Sequence, residues 1–288
     1  MNKEEQKYLD LLEEVIGCGN DKTDRTGVGT YSIFGSSLRF SLEDNTLPLL
    51  TTKKMFFKGV VEELLFFIRG ATDTKILEEK GVNIWKGNTS REFLDSRGLT
   101  HLKEGNMGKG YGYQWRRFGE SDCECSMFGV DQLTNVFQSI KNDPSGRRHI
   151  ITAWNPQQLK EMALPPCHCF IQFYVANGEL SCQWYQRSVD TFLGLPFNIA
   201  SYALFTHIMA KATGLKAREV IFVGGDVHIY KSHMDQINEQ LKREPYNFPK
   251  IAITKEINSI EDMENLQFED FKLIDYKCHQ AIKATMAV

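Results

Sequence analysis

Apolar positions along the chain change period several times, and each change marks an element. Tyr8, Leu11, Leu12 and Val15 recur at three- and four-residue steps, which predicts an amphipathic helix over residues 4–17. From Tyr31 to Phe40 the pattern alternates instead and reads as a strand or hairpin, after the turn-rich loop Asp24-Arg-Thr-Gly-Val-Gly-Thr30. Residues 58–69 are apolar at Val60, Val61, Leu64, Leu65, Phe67 and Ile68, so the spacing predicts a buried helix entered from Thr51-Thr-Lys-Lys54. A Gly-, Ser- and Asn-rich stretch over about 86–129 reads as a loop-rich insertion, and 131–140 as a helix stopped by Asn142-Asp-Pro-Ser-Gly146. Two apolar runs, 169–175 and 180–185, flank Asn177-Gly178, the strongest short signal for a hairpin. A helix over 198–213 follows, then short strands over 220–223 and 227–230 around Gly224-Gly225, then a helix over 232–243. Strands arriving in groups, without regular strand–helix–strand alternation, favour an α+β over a doubly wound fold, and the length allows one large domain or two small ones.

Composition narrows the class of protein but names no chemistry. With 42% hydrophobic and 25% charged residues, 288 residues can bury a large core without help from metals or disulfides. A net charge of -3 argues against a nucleic-acid or membrane-surface partner, whose binding draws on a basic excess, but leaves room for one local basic pocket. No apolar run approaches the roughly 18 residues that cross a bilayer. The polar start Met1-Asn-Lys-Glu-Glu-Gln-Lys7 lacks a signal-peptide core. Seven scattered cysteines read as reduced thiols, which points to the cytoplasm. Cys123-x-Cys125 and Cys278-His279 have no second pair at zinc spacing, so no metal site is expected.

The hairpin makes a geometric prediction about one of those thiols. With Asn177 and Gly178 as the central turn residues, Cys167 falls opposite Ser188 and His168 opposite Arg187, with Cβ atoms about 5 Å apart across the ladder. An arginine beside the thiol would favour thiolate, the nucleophilic form, and Pro165-Pro166 would hold the approach extended. A lone cysteine is more often a small buried hydrophobe; it is the context that raises Cys167. In the buried helix, Glu62 has Lys58 one turn behind it and reads as a solvated ion pair. Glu63 sits among apolar neighbours, which would raise its pKa toward neutrality. Arg25, Arg147, Arg148, Arg187 and, more weakly, Arg116 are candidates for gripping an anion with planar forks. His228 and Tyr230 share one strand face and could both bond a sugar hydroxyl.

Pro165-Pro-Cys-His168, Gln186-Arg-Ser188 and Leu195-Pro-Phe-Asn-Ile-Ala-Ser-Tyr202 together closely resemble the thymidylate synthase family. Asp24-Arg-Thr-Gly27, Thr51-Thr-Lys-Lys54, Arg147-Arg148, Ala153-Trp-Asn155, Gly224-Gly-Asp-Val-His-Ile-Tyr230, Arg243-Glu-Pro245 and Met286-Ala-Val288 extend the likeness over nearly the whole chain. The resemblance implies a single α+β domain over 1–288, of mixed β-sheets covered by helices, and a homodimer whose β-sheets pack face to face. It also implies the conversion of dUMP to dTMP, with 5,10-methylenetetrahydrofolate as one-carbon donor and reductant and no metal. Cys167 would attack carbon 6 of the pyrimidine, splitting one hard substitution into easier steps. Arg25, Arg187 and Ser188 would hold the phosphate, with Arg147 and Arg148 reaching in from the partner. Gln186 and Asn198 would meet the nucleotide, Asn198 reading the uracil edge. His228 and Tyr230 would bind the ribose. Glu63 would relay protons, with Tyr111 nearby. Ile84, Trp85 and Asp190 would line the folate site, Asp190 also bordering dUMP; Lys53 would meet the glutamate tail and Val288 help close the lid.

Lys86 and Gly108-Lys-Gly110 depart from the family pattern on what the resemblance makes the folate side. A dUMP hydroxymethylase on the same scaffold, ending with water instead of hydride, is the alternative; Asn198 argues for uracil over cytosine.

Overall fold

The computed structural model describes residues 2–24, 26–121 and 129–286. Nine α-helices lie within them: α1 Lys3–Cys18, α2 Phe57–Ile68, α3 Lys75–Glu79, α4 Arg91–Ser96, α5 Gly112–Arg117, α6 Gln132–Asn142, α7 Gly194–Thr213, α8 Met234–Gln240 and α9 Ile260–Glu264. Strands β1 Asn20–Lys22, β2 Thr30–Ser41, β3 Ile150–Thr152, β4 His168–Ala176, β5 Glu179–Asp190 and β6 Lys216–Tyr230 form one sheet in the order β1-β2-β6-β5-β4-β3. Only β5 and β6 run parallel in it. Strands β7 Lys250–Ile253 and β8 Phe271–Ile274 make a second, antiparallel pair. This is the α+β architecture that the grouping of strands predicts.

Helix α7 is apolar nearly all round, with fifteen buried residues, and occupies the centre of the molecule between the sheet and α2. Its end is set by Gly214, whose φ of 71° closes the last turn. Helix α1 buries Tyr8, Leu11, Leu12 and Val15 against β2, as its spacing requires. The opposite face of the sheet carries no helix among the described residues. Phe170, Tyr185 and Val223 stand side by side across β4, β5 and β6 there, with Tyr174 exposed by 64%.

Three expectations change and one is narrowed. The segment over 216–230 is one unbroken strand and not two, because the glycines serve a close approach: a Cβ on Gly225 would stand 2.7 Å from Tyr185 Oη and 2.8 Å from the Arg187 carbonyl. The stretch over 31–40, read as a strand or hairpin, is the single strand β2, paired with β6 in one constant register. Residues 86–121 include two short helices, α4 and α5, that the composition conceals. The helix expected over 232–243 is limited to Met234–Gln240, after one tighter turn at Lys231–His233.

Candidate active site

Asn177 and Gly178 form the turn between β4 and β5, both at positive φ (54° and 75°). From there to Phe170 and Tyr185 the strands pair as the turn dictates. A bulge between His168 and Phe170 then shifts the register, so His168 faces Gln186 and Arg187 N–H donates to the Cys167 carbonyl at 2.9 Å. The expected pairings of Cys167 with Ser188 and of His168 with Arg187 are therefore corrected by one residue, and the correction brings Arg187 closer to the thiol. Its Nη2 lies 3.9 Å from Cys167 Sγ. The fork is pinned by the carbonyls of Pro166 (2.8 Å) and Pro165 (2.9 Å) and lies over the Trp154 ring. The neighbouring thiols contrast with Cys167: burial pushes Cys169 up and Cys182 to about 12, while Cys167 opens into a cavity. His168 borders that cavity, but its Nδ1 bonds the Tyr202 hydroxyl at 2.7 Å and burial lowers its pKa to about 3. It stays neutral and is a poor base.

The opposite wall is built on α2. Glu63 is buried; desolvation raises its pKa to about 7, partly offset by a 2.7 Å hydrogen bond from Trp85 Nε1. The expected solvated pair of Glu62 with Lys58 is not formed: Glu62 is buried and pairs with Lys80 at 2.6 Å. Tyr111 adopts φ +45°, costly for a non-glycine residue, and its hydroxyl accepts the Cys167 N–H at 3.0 Å. Its ring stacks on Phe67 (5.1 Å, 8°) and meets Trp85, while burial keeps the phenol protonated.

The raised Glu63 gives a stability prediction with a definite sign. Between pH 4.5 and about 7 the folded chain holds a proton that the unfolded chain has lost, so this group's contribution to stability falls as pH rises through that window. Glu63→Gln lacks that loss. Its thermal stability relative to the parent is expected to improve by on the order of 3 kcal/mol from pH 4.5 to above 7, measured by denaturation at a series of pH values. A pH-independent difference would mean that Glu63 ionises normally.

The cavity encloses about 570 Å³ and gathers residues from eight regions of the chain. Gln186, Ser188 and Asp190 of β5 line it beside His228 and Tyr230 of β6, with Asp190 directly paired to His228. One Asp190 oxygen accepts the N–H groups of Phe192 and Leu193, fixing the entry to α7. Asn198 on α7 is oriented by a relay whose polarity is forced. Trp184 Nε1 can only donate, so it sets Gln186 Oε1 as acceptor (3.3 Å), and Gln186 Nε2 then donates to Asn198 Oδ1 (3.1 Å). The Asn198 amide N–H groups are left for the cavity. Ile84, Trp85, Leu193, Phe197 and Met286 supply an apolar flank. Met286 is carried there by a tail held through its neighbour, since His233 Nε2 donates to the Thr285 carbonyl at 2.9 Å.

Some expected residues lie elsewhere. Lys53 does not line the cavity: its ammonium is buried 3.6 Å above the Phe192 ring and donates to the Phe192 carbonyl, and desolvation lowers its pKa to about 7. Arg147 and Arg148 are exposed just before β3 at the sheet edge and do not reach this cavity. Arg116 is tied to Asp131 (2.9 Å) and Glu264, which removes it as an anion site. Lys86 is exposed and Lys109 pairs with Glu161 at 2.8 Å; neither lines the cavity. Arg25, Val288 and the Cys123/Cys125 pair fall outside the described residues. Among the described residues no cluster could hold a metal ion and no helix is long and apolar enough to cross a membrane. Sequence reasoning missed Lys22 and Asp226 on the cavity wall; Asp226 lies inside a motif already singled out, two residues before His228.

A family model described as thymidylate synthase matches residues 6–288. A thymidylate synthase of Human herpesvirus 8 type P (isolate GK18) is 51% identical over 289 residues, covering 99% of this chain and 85% of that protein. Bifunctional dihydrofolate reductase-thymidylate synthases of Zea mays and Leishmania major are each 51% identical, over 289 and 293 residues. They are covered to 55% and 56% of their length, so the chain spans about half of these bifunctional relatives.

Proposed function

The chain belongs to the thymidylate synthase family, and from that premise we propose that it converts dUMP to dTMP. In this reading 5,10-methylenetetrahydrofolate supplies both the carbon and the hydride and leaves as dihydrofolate. The observation that carries the proposal is Cys167 Sγ at the cavity wall with the Arg187 guanidinium 3.9 Å away. That cation favours the thiolate needed to add to carbon 6 of the ring. The Asn198 amide, held by Gln186, donates toward the O4 carbonyl of uracil while its oxygen can accept from the N3 imide. Cytosine presents the reverse polarity at both atoms and is rejected.

Ser188 and Arg187 would meet the phosphate, joined by Arg25 and by Arg147 and Arg148 of a second copy. His228 and Tyr230 would meet the ribose hydroxyl. Glu63, near pH 7 half protonated, is poised to move a proton at O4 and carbon 5, with Tyr111 beside it. The apolar flank of Ile84, Trp85, Leu193 and Phe197 suits the flat ring of a folate, and Asp190 its polar edge. The homodimer of this reading is supported by the bare sheet face bearing Phe170, Tyr174 and Tyr185. A cytoplasmic location is supported by the free state of the five described cysteines.

The test is direct. Purified protein with dUMP and methylenetetrahydrofolate should form dTMP and dihydrofolate in equal amounts, followed by absorbance and by chromatography of the nucleotide. Formation of 5-hydroxymethyl-dUMP without dihydrofolate would replace this reading with the hydroxymethylase one.

A further inference from the structure

His228 and Asp226 point into the cavity from the same stretch of β6, and their contacts determine where the histidine carries its proton. Asp226 Oδ1 accepts from Ser32 Oγ at 2.9 Å and stands 3.2 Å from His228 Nδ1; Oδ2 accepts from Lys22 Nζ at 2.7 Å. Burial works against the charged form of Asp226. The bonds from Lys22 and Ser32, with His228 nearby, nevertheless hold its pKa below the ordinary 3.8. The carboxylate is ionised at neutral pH and can only accept. The proton of the Asp226–His228 bond therefore belongs to His228 Nδ1. A neutral imidazole protonated at Nδ1 has its lone pair at Nε2. His228 Nε2 makes no hydrogen bond among the described residues, and the ring is part of the cavity wall.

We propose that Asp226 is a positioning residue that locks His228 as the Nδ1–H tautomer, making Nε2 an acceptor that selects a free sugar hydroxyl. The ligand class follows from the polarity. A hydroxyl can donate to Nε2, whereas an ether or a phosphate ester at the same position offers only acceptors and leaves the lone pair opposed. Lys22, the last residue of β1, neutralises the carboxylate. The negative charge needed to orient His228 is thereby kept from opposing the phosphate of the same ligand. The identity of the hydroxyl as the 3′ group of dUMP rests on the function proposed above; the tautomer does not.

The experiment has two arms. In the ¹⁵N-labelled full chain without ligand at about pH 8, long-range proton–nitrogen correlation should show His228 with a protonated Nδ1 and a pyridine-type Nε2. The resonance is assigned by its loss in His228→Gln. A protonated Nε2 would overturn the proposal whether or not the protein turns over dUMP. In the second arm, Asp226→Asn should shift the tautomer toward Nε2–H and weaken dUMP binding about 10-fold. The 3′-deoxy analogue of dUMP should bind equally to parent and variant. Equal weakening of both ligands would reduce Asp226 to a structural role and sink the idea.

Discussion

Cys167→Ser is expected to lower dTMP formation by at least about four orders of magnitude, while dUMP binding changes only a few-fold. Serine keeps the size of the side chain and the Cys167 N–H bond to the Tyr111 hydroxyl. It also leaves the Arg187 fork in place, because the carbonyls of Pro165 and Pro166 hold it independently of the sulfur. What is lost is the nucleophile. An arginine 3.9 Å away can bring a thiol toward ionisation near neutral pH, but a hydroxyl ionises too far above it to be rescued by one cation. The loss should therefore appear in kcat, with KM for dUMP nearly constant. Cys169→Ser and Cys182→Ser serve as controls: both thiols are buried, and their loss should move the melting temperature and leave kcat within a few-fold. Undiminished turnover by Cys167→Ser would remove the thiol from the chemistry altogether.

Local rules carried most of the fold and stopped where distant parts of the chain meet. Asn177-Gly178 sets the hairpin register near the turn because φ > 0 at both residues admits few alternatives. The bulge at His168–Phe170 lies eight residues from the turn, and no local signal in Pro-Pro-Cys-His announces it. Gly224-Gly225 reads as a break because glycine pairs usually are one, but the reason for them is on β5, at the Tyr185 hydroxyl and the Arg187 carbonyl. Thr51-Thr-Lys-Lys54 reads as a short polar entry to α2. In the fold the buried Glu5 carboxylate accepts from the backbone and hydroxyls of Thr51 and Thr52, which turns Lys53 inward onto Phe192. The same limit applies to the cavity: Cys167, Asn198, His228 and Tyr230 stand in recognisable motifs, whereas the Lys22–Asp226 pair joins residues 204 apart in sequence.

The other large effect concerns a second copy of the chain. Arg147→Ala combined with Arg148→Ala is expected to reduce kcat/KM for dUMP between about a hundredfold and ten-thousandfold, the loss of two charge-assisted phosphate contacts. Nothing in the chain's own cavity accounts for such a loss, since both arginines are exposed beside β3 and absent from its lining. The uncovered sheet face next to them carries Phe170, Tyr174 and Tyr185. Pairing that face with its equivalent would set each chain's arginines at its partner's phosphate, the reciprocal exchange a two-fold interface imposes. Co-expression separates this arrangement from a simple folding defect. A chain lacking both arginines is paired with a Cys167→Ala chain, each inactive alone. In a mixed dimer one site has both its cysteine and its partner's arginines intact, while the other has neither. Random pairing should then restore about a quarter of the parent activity per site. Restoration to that level, with each homodimer folded by circular dichroism, requires a shared site; absence of restoration with mixed dimers present would confine the phosphate site to one chain.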